Sequence, residues 1–208
     1  EDVNEVQLQL NRNGQPRLLL RASSTVTLHG HDYYYASCNN NCTTVGGWSL
    51  TLIHSTNNVS METLEDDELP QRDFALDPAG HPRFVYVDRN SAANSYGTYY
   101  ASCDGECENA DNWQKTRINA VIESPYRDEN FGHVSVTFTA DGRPRLVTAE
   151  FTPLDDSDSS LAYFECNSSC EQSESWQKVT LAPRGGGAEP SADLELDADG
   201  RPRIAFYQ

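Results

Sequence analysis

Six cysteines stand in three pairs of one spacing, Cys38 with Cys42, Cys103 with Cys107 and Cys166 with Cys170, and a tryptophan follows each pair, at Trp48, Trp113 and Trp176. Two chemistries suit thiols at this spacing. A disulfide between residues so close in sequence is geometrically allowed and would hold a hairpin connection closed. Structural zinc needs four ligands, usually from a C-x2-C or C-x4-C pair with a second pair nearby. Here each pair sits in its own repeat, so disulfides are the expectation. They imply an oxidising setting: extracellular, periplasmic or at the cell surface.

The remaining chemically capable residues gather between the repeated elements. Glu65, Asp66, Asp67 and Glu68 form one acidic run, Asp128 belongs to a second and Asp155, Asp156 and Asp158 to a third. Hard oxygen ligands at this density suit calcium, but none of the runs has EF-hand spacing, and a charge run is ordinarily solvated. The expectation is therefore no cofactor, with calcium as the ion such loops would take. Tyr96, Tyr126, Phe131 and Phe151 lie in the same irregular segments, where aromatic rings stack on sugars, anchor a protein or fold back over sheet edges. His29 and His31 would share one side of an extended strand, half of a metal site with no third ligand in view. No G-x-S-x-G, P-loop or H-E-x-x-H sequence occurs. An acidic rim supplies carboxylate candidates for glycoside hydrolysis, but no catalytic set can be placed.

The elements that position these residues recur. Four Gly-x-Pro-Arg turns begin at Gly14, Gly80, Gly142 and Gly200, spaced by 66, 62 and 58 residues. Before each comes an alternating run such as Val134-Ser135-Val136-Thr137-Phe138, and period two marks a strand. After each comes a run apolar on both faces, such as Phe84-Val85-Tyr86-Val87, which suits a strand buried between stacked sheets. Asn or Asp near the glycine supplies the tight hairpin between them. A third run ends at the first cysteine of each pair, as in Thr98-Tyr99-Tyr100-Ala101-Ser102, and a fourth starts at each tryptophan, as in Trp113-Gln114-Lys115-Thr116-Arg117. Charge in the fourth run of two of the three copies fits an outer edge strand. Four antiparallel strands per repeat, buried in the middle and charged at the outside, make a propeller blade.

The pattern LxxDxxGxP, then YAxC-x3-C, then a tryptophan resembles a broad class of secreted bacterial β-propeller repeats, with an architecture distantly like that of sialidases and propeller lectins. The resemblance spans nearly the whole chain and implies fold rather than activity. The S-x-D-x-G-x-x-W box of sialidases is missing, and Arg17, Arg83, Arg145 and Arg203 recur at one repeat position. Such arginines are expected to brace the turns rather than to form a catalytic cluster. The three tryptophans, with Tyr35, Tyr100 and Tyr163, recur in the same way and read as packing residues.

The expected fold is thus all-β, a single propeller domain or segment over residues 1–208. Its blades cover about 1–56, 72–122 and 132–183, with a half blade at 190–208. Three and a half blades leave an edge that a continuation of the chain or a partner would cover. With 32 acidic against 15 basic residues, the net charge of −17 disfavours nucleic acid and anionic membranes. No apolar run is long enough for a membrane-spanning helix. Sequons at Asn41, Asn58 and Asn167 matter only in a host that glycosylates. The functional expectation is a secreted, non-catalytic binding or assembly module. It would engage a protein partner, or its own oligomer, through the variable acidic loops or the incomplete blade. A glycan-binding lectin is the first alternative and a glycosidase-type hydrolase the second.

Overall fold

The computed structural model describes residues 3–24, 31–56, 72–90, 95–122, 134–151, 159–183 and 191–207. Among the described residues, fourteen strands form three four-stranded antiparallel sheets and one two-stranded sheet, each with neighbours in sequence order. The first sheet comprises β1 (Val3–Leu10), β2 (Pro16–Ser23), β3 (His31–Cys38) and β4 (Trp48–Ser55). The second comprises β5 (Arg72–Leu76), β6 (Pro82–Asn90), β7 (Ser95–Ser102) and β8 (Gln114–Ile122). The third comprises β9 (Val134–Phe138), β10 (Pro144–Phe151), β11 (Ser159–Cys166) and β12 (Trp176–Pro183). A hairpin of β13 (Ser191–Leu196) and β14 (Pro202–Tyr207) follows. These are three blades and the inner half of a fourth.

The hairpin turns form as their residues dictate. Gly14, Gly80, Gly142 and Gly200 all have φ between 73° and 89°, a region other residues rarely enter. Asp77 Oδ1 accepts from the N–H groups of Ala79 and His81, and Asp197 Oδ1 accepts in the same way from Asp199 and Arg201. The recurrent arginines brace these turns against the cysteine loops. Arg17, Arg83 and Arg145 each donate to the carbonyl of the first cysteine of the neighbouring pair, Cys38, Cys103 and Cys166, at 3.1, 3.0 and 2.9 Å. Arg83 also pairs with Asp77 and Asp104 at 2.7 and 2.6 Å.

All three cysteine pairs are disulfides, with Cα separations of 5.7 to 5.8 Å. They set the chain in an oxidising, extracytoplasmic environment. Each disulfide loop runs into a three-residue 3-10 turn, a feature the strand pattern did not announce, and delivers a tryptophan whose indole N–H donates to the carbonyl of the second cysteine. The tryptophans cement neighbouring blades. Trp113 meets Tyr35 edge-on at 5.4 Å and Trp176 meets Tyr100 at 5.1 Å, so each ring packs on the blade before its own. Thr51 and Thr116 donate to the carbonyls of Glu108 and Glu171 in the following blade's cysteine loop. The core is correspondingly divided into one cluster per blade junction.

Candidate functional site

The first strand of each sheet lies innermost, with β1 beside β5, β5 beside β9 and β9 beside β13. These strands enclose a groove of about 430 Å³ lined by Gln9, Asp73, Ala75, Thr137, Asp193 and Glu195, together with Ser135 and apolar neighbours such as Phe74 and Phe138. The polar lining comes from two repeat positions, seven and five residues before each turn glycine. They hold Gln7, Asp73, Ser135 and Asp193 at the first, and Gln9, Ala75, Thr137 and Glu195 at the second. Period two puts both on the same side of the strand. The positions are structurally equivalent but chemically unlike, so the groove is asymmetric within a repetitive frame.

An inner strand has one edge without a strand partner, and its N–H groups still need acceptors. Asp73 provides two of them: Oδ1 accepts from Phe74 N–H at 2.9 Å and Oδ2 from Val136 N–H of the next blade at 2.7 Å. Burial pushes the Asp73 carboxyl up to about 6, against the two backbone hydrogen bonds that lower it, and Asp193 adds a smaller upward push. Asp193 Oδ1 accepts from Leu194 N–H at 2.9 Å and from the Ser135 hydroxyl at 3.2 Å. Gln9 Nε2 donates to Phe74 O at 3.4 Å. Asp73 therefore acts as a clamp between blades, while Asp193 and Glu195 stay exposed to solvent in the groove.

The repeats also differ at the junction of the first two blades. Arg21, Tyr33 and His54 stand in one cross-strand row of the first sheet, where the second sheet has Val87, Thr98 and Asn119 and the third Ala149, Leu161 and Ala182. His54 Nε2 lies 2.6 Å from Asp88 Oδ2 of the second sheet, and its ring is 4.7 Å from Tyr86. Tyr33 packs on Phe84 and Tyr86 at 4.9 and 5.8 Å. Burial raises the Tyr33 phenol well above its ordinary value, with Arg21 opposing and Asp88 adding to the shift. This is an asymmetric cluster of Arg, Tyr and acid, but Arg21 and Tyr33 are buried at 2% and 0% exposure. Its geometry locks two blades together rather than presenting a nucleophile at the surface.

Of the residues singled out from sequence, the cysteines are placed as disulfides, and two others move from loops to strands. Tyr96 lies in β7, paired with Arg89 and Val121, and Phe151 ends β10 opposite Ser159. The ladders run further toward that rim than the apolar pattern suggested. Glu65, Asp66, Asp67, Glu68, Tyr126, Asp128, Phe131, Asp155, Asp156, Asp158 and His29 lie outside the described residues. Among the described residues, no group of three or more His, Cys, Asp or Glu is placed to hold a metal ion. The axial groove was missed from sequence. Its one signal was a polar residue at the same two positions before the turn glycines, broken only by Ala75, which reads equally as the wet side of an edge strand.

Known structures share this architecture. The chain is similar to an endo-arabinase from Bacteroides thetaiotaomicron at 11% identity and a TM-score of 0.53, over 99% of this chain and 70% of that one. It is similar to a polysaccharide lyase at 12% identity and a TM-score of 0.51, over 100% of this chain and 47% of that one. An α-L-arabinofuranosidase from Lactobacillus brevis aligns at 14% identity and a TM-score of 0.48, over 97% and 63% of the two chains. No family model and no curated protein matches the sequence. At these identities the likeness establishes the fold alone: an all-β propeller framework of the kind on which carbohydrate-active enzymes are built.

Proposed function

We propose that the chain is a saccharide-binding propeller module of the cell exterior, periplasm or cell surface, with its site in the axial groove. The observation that carries this reading is the asymmetric, mainly polar lining of the groove by Asp193, Glu195, Thr137 and Gln9, with Ala75 and the partly buried Phe138 beside them. Sugars offer hydroxyl donors around an apolar ring face. Carboxylate and hydroxyl acceptors set against hydrophobic surface are the complementary arrangement. The groove carries acids and no base among its lining residues, and the chain's net charge is −17, so the fitting ligand is neutral or cationic rather than a polyuronate. The shared framework of carbohydrate-active enzymes supports the same choice.

Binding is favoured over hydrolysis by the state of the carboxylates. Both oxygens of Asp73 accept backbone N–H groups. Glycoside hydrolysis needs two carboxyl groups flanking one bond, and the two exposed acids, Asp193 and Glu195, stand side by side on β13 rather than on facing strands. A glycan array followed by calorimetry on the strongest neutral oligosaccharide tests the proposal. Asp193→Asn with Glu195→Gln is expected to weaken binding at least tenfold while leaving the melting temperature in place. Binding indifferent to those two changes would move the site elsewhere, and release of reducing sugar by the wild type would replace binding with hydrolysis.

A further inference from the structure

The position seven residues before the turn glycine ties one inner strand to the next at two blade junctions. Between the second and third blades Asp73 Oδ2 accepts the Val136 N–H at 2.7 Å, and at the following junction Ser135 Oγ accepts the Leu194 N–H at 3.3 Å. Val136 and Leu194 are equivalent residues, each six before its glycine, so the same N–H is satisfied by a carboxylate in one place and by a neutral hydroxyl in the other. The clamp does not need charge. Burying a carboxylate costs free energy that a hydroxyl avoids. Blade stacking thus accounts for an acceptor at residue 73 but not for its ability to ionise.

Asp73 also lines the axial groove, beside Asp193 and Glu195. It is partly buried, and its oxygens are directed at the N–H groups of Phe74 and Val136, so the ionised group depends on water in the groove for the rest of its solvation. The groups that face it set the direction of any coupling. β1 presents Gln7 and Gln9, with Glu5 further along the same side, and β9 contributes Ser135 and Thr137 to the groove. β13 contributes Asp193 and Glu195, both of which push the Asp73 carboxyl up after burial itself. Within its own sheet Asp73 shares a cross-strand row with Val85, Tyr100 and Thr116, and Arg83 stands in the next row, engaged with Asp77 and Asp104. The described residues that line the groove include no cation to offset the charge.

On the reading of the groove as the saccharide site, we infer that its occupancy is coupled to a proton on Asp73, so that a neutral saccharide binds more tightly to the protonated form. A ligand seated over Asp193 and Glu195 displaces water from the groove wall without bringing a countercharge. That makes an ionised Asp73 more costly and leaves the neutral acid almost unaffected. Binding therefore takes up a proton, and by reciprocity the proton favours binding to the same extent. The carboxyl of the free protein titrates at about 6, and that of the complex titrates higher. Affinity is then greatest below about pH 6 and declines as pH rises through the interval between the two values.

Glycan arrays read at about pH 5 and about pH 8, followed by calorimetry of one neutral oligosaccharide in two buffers of different ionisation enthalpy, test the inference. The wild type is expected to bind roughly three- to tenfold more tightly at the lower pH, with uptake of a fraction of a proton. Asp73→Asn keeps an acceptor oxygen that cannot ionise, and Asp73→Ser copies the neutral clamp of the next junction. In both, the pH dependence and the proton uptake are expected to disappear. Equal affinity at the two pH values, tighter binding at the higher one, or a pH dependence that both variants retain overturns the coupling and leaves the saccharide reading in place. No binding at either pH overturns the saccharide reading and the coupling with it.

Discussion

Replacing Asp73 by Asn should change how stability depends on pH, and the structure sets both sign and size. The folded-state carboxyl titrates at about 6 against an ordinary 3.8, chiefly because it is buried between β5 and β9. The folded protein therefore keeps a proton that the unfolded chain gives up. The ionised group then becomes progressively more costly to hold in the fold as pH rises from about 4 to about 6. The span between 3.8 and about 6 amounts to about 3 kcal/mol. At acid pH the protonated carboxyl and the amide are near-isosteres: one oxygen still accepts an N–H, and the two proteins should unfold at similar urea concentrations. At neutral pH the variant should gain on the wild type by up to about 3 kcal/mol, a figure already net of the bonds from Phe74 and Val136 N–H. Urea unfolding of both proteins at several pH values measures the difference directly, and the other carboxylates cancel in the comparison. A difference that stays flat with pH, or one that moves in favour of the wild type as pH rises, would refute the assignment of Asp73 as a buried, reluctantly ionised clamp.

Other outcomes follow from the blade junctions. A double-mutant cycle between Tyr35→Leu and Trp113→Leu should return a coupling of about 0.5–1.5 kcal/mol by chemical denaturation, the value of an edge-on aromatic pair beyond its area. Arg83→Ala should cost about 3 kcal/mol, because it strands the buried Asp77 and the Cys103 carbonyl, whereas Arg203→Ala, at an exposed pair, should cost under about 1 kcal/mol by the same assay. Reduction of the disulfides should lower the melting temperature in thermal scans with and without reductant. Each closes a loop of separation 4, worth about 2 kcal/mol on the chain-entropy model.

Much of the frame was legible because it depends on local chemistry. The positive-φ glycine at residue 80, the proline that opens β6 and the cysteine pair after β7 each act over a few residues and recur. The recurrence of Arg83 at one turn position foretold its role there as well, since any group repeated in every blade serves what every blade must do. The axial groove was not legible for the opposite reason. Asp73, Ser135 and Asp193 are far apart in sequence and chemically unlike, and only the stacking of blades around an axis brings them together. Each alone is an ordinary polar residue on an edge strand. The row of Arg21, Tyr33 and His54 escaped notice similarly: each belongs to a different strand, and their meeting with Asp88 depends on the register of one sheet and its packing on the next.

Calorimetric titration of a neutral oligosaccharide selected from an array, into the wild type and into the protein carrying Asp193→Asn and Glu195→Gln, tests saccharide binding at the propeller axis most directly. The account predicts saturable binding by the wild type and at least a tenfold loss in the variant, with unchanged thermal stability. Equal affinity in the two proteins, or no binding to any saccharide on the array, would contradict it.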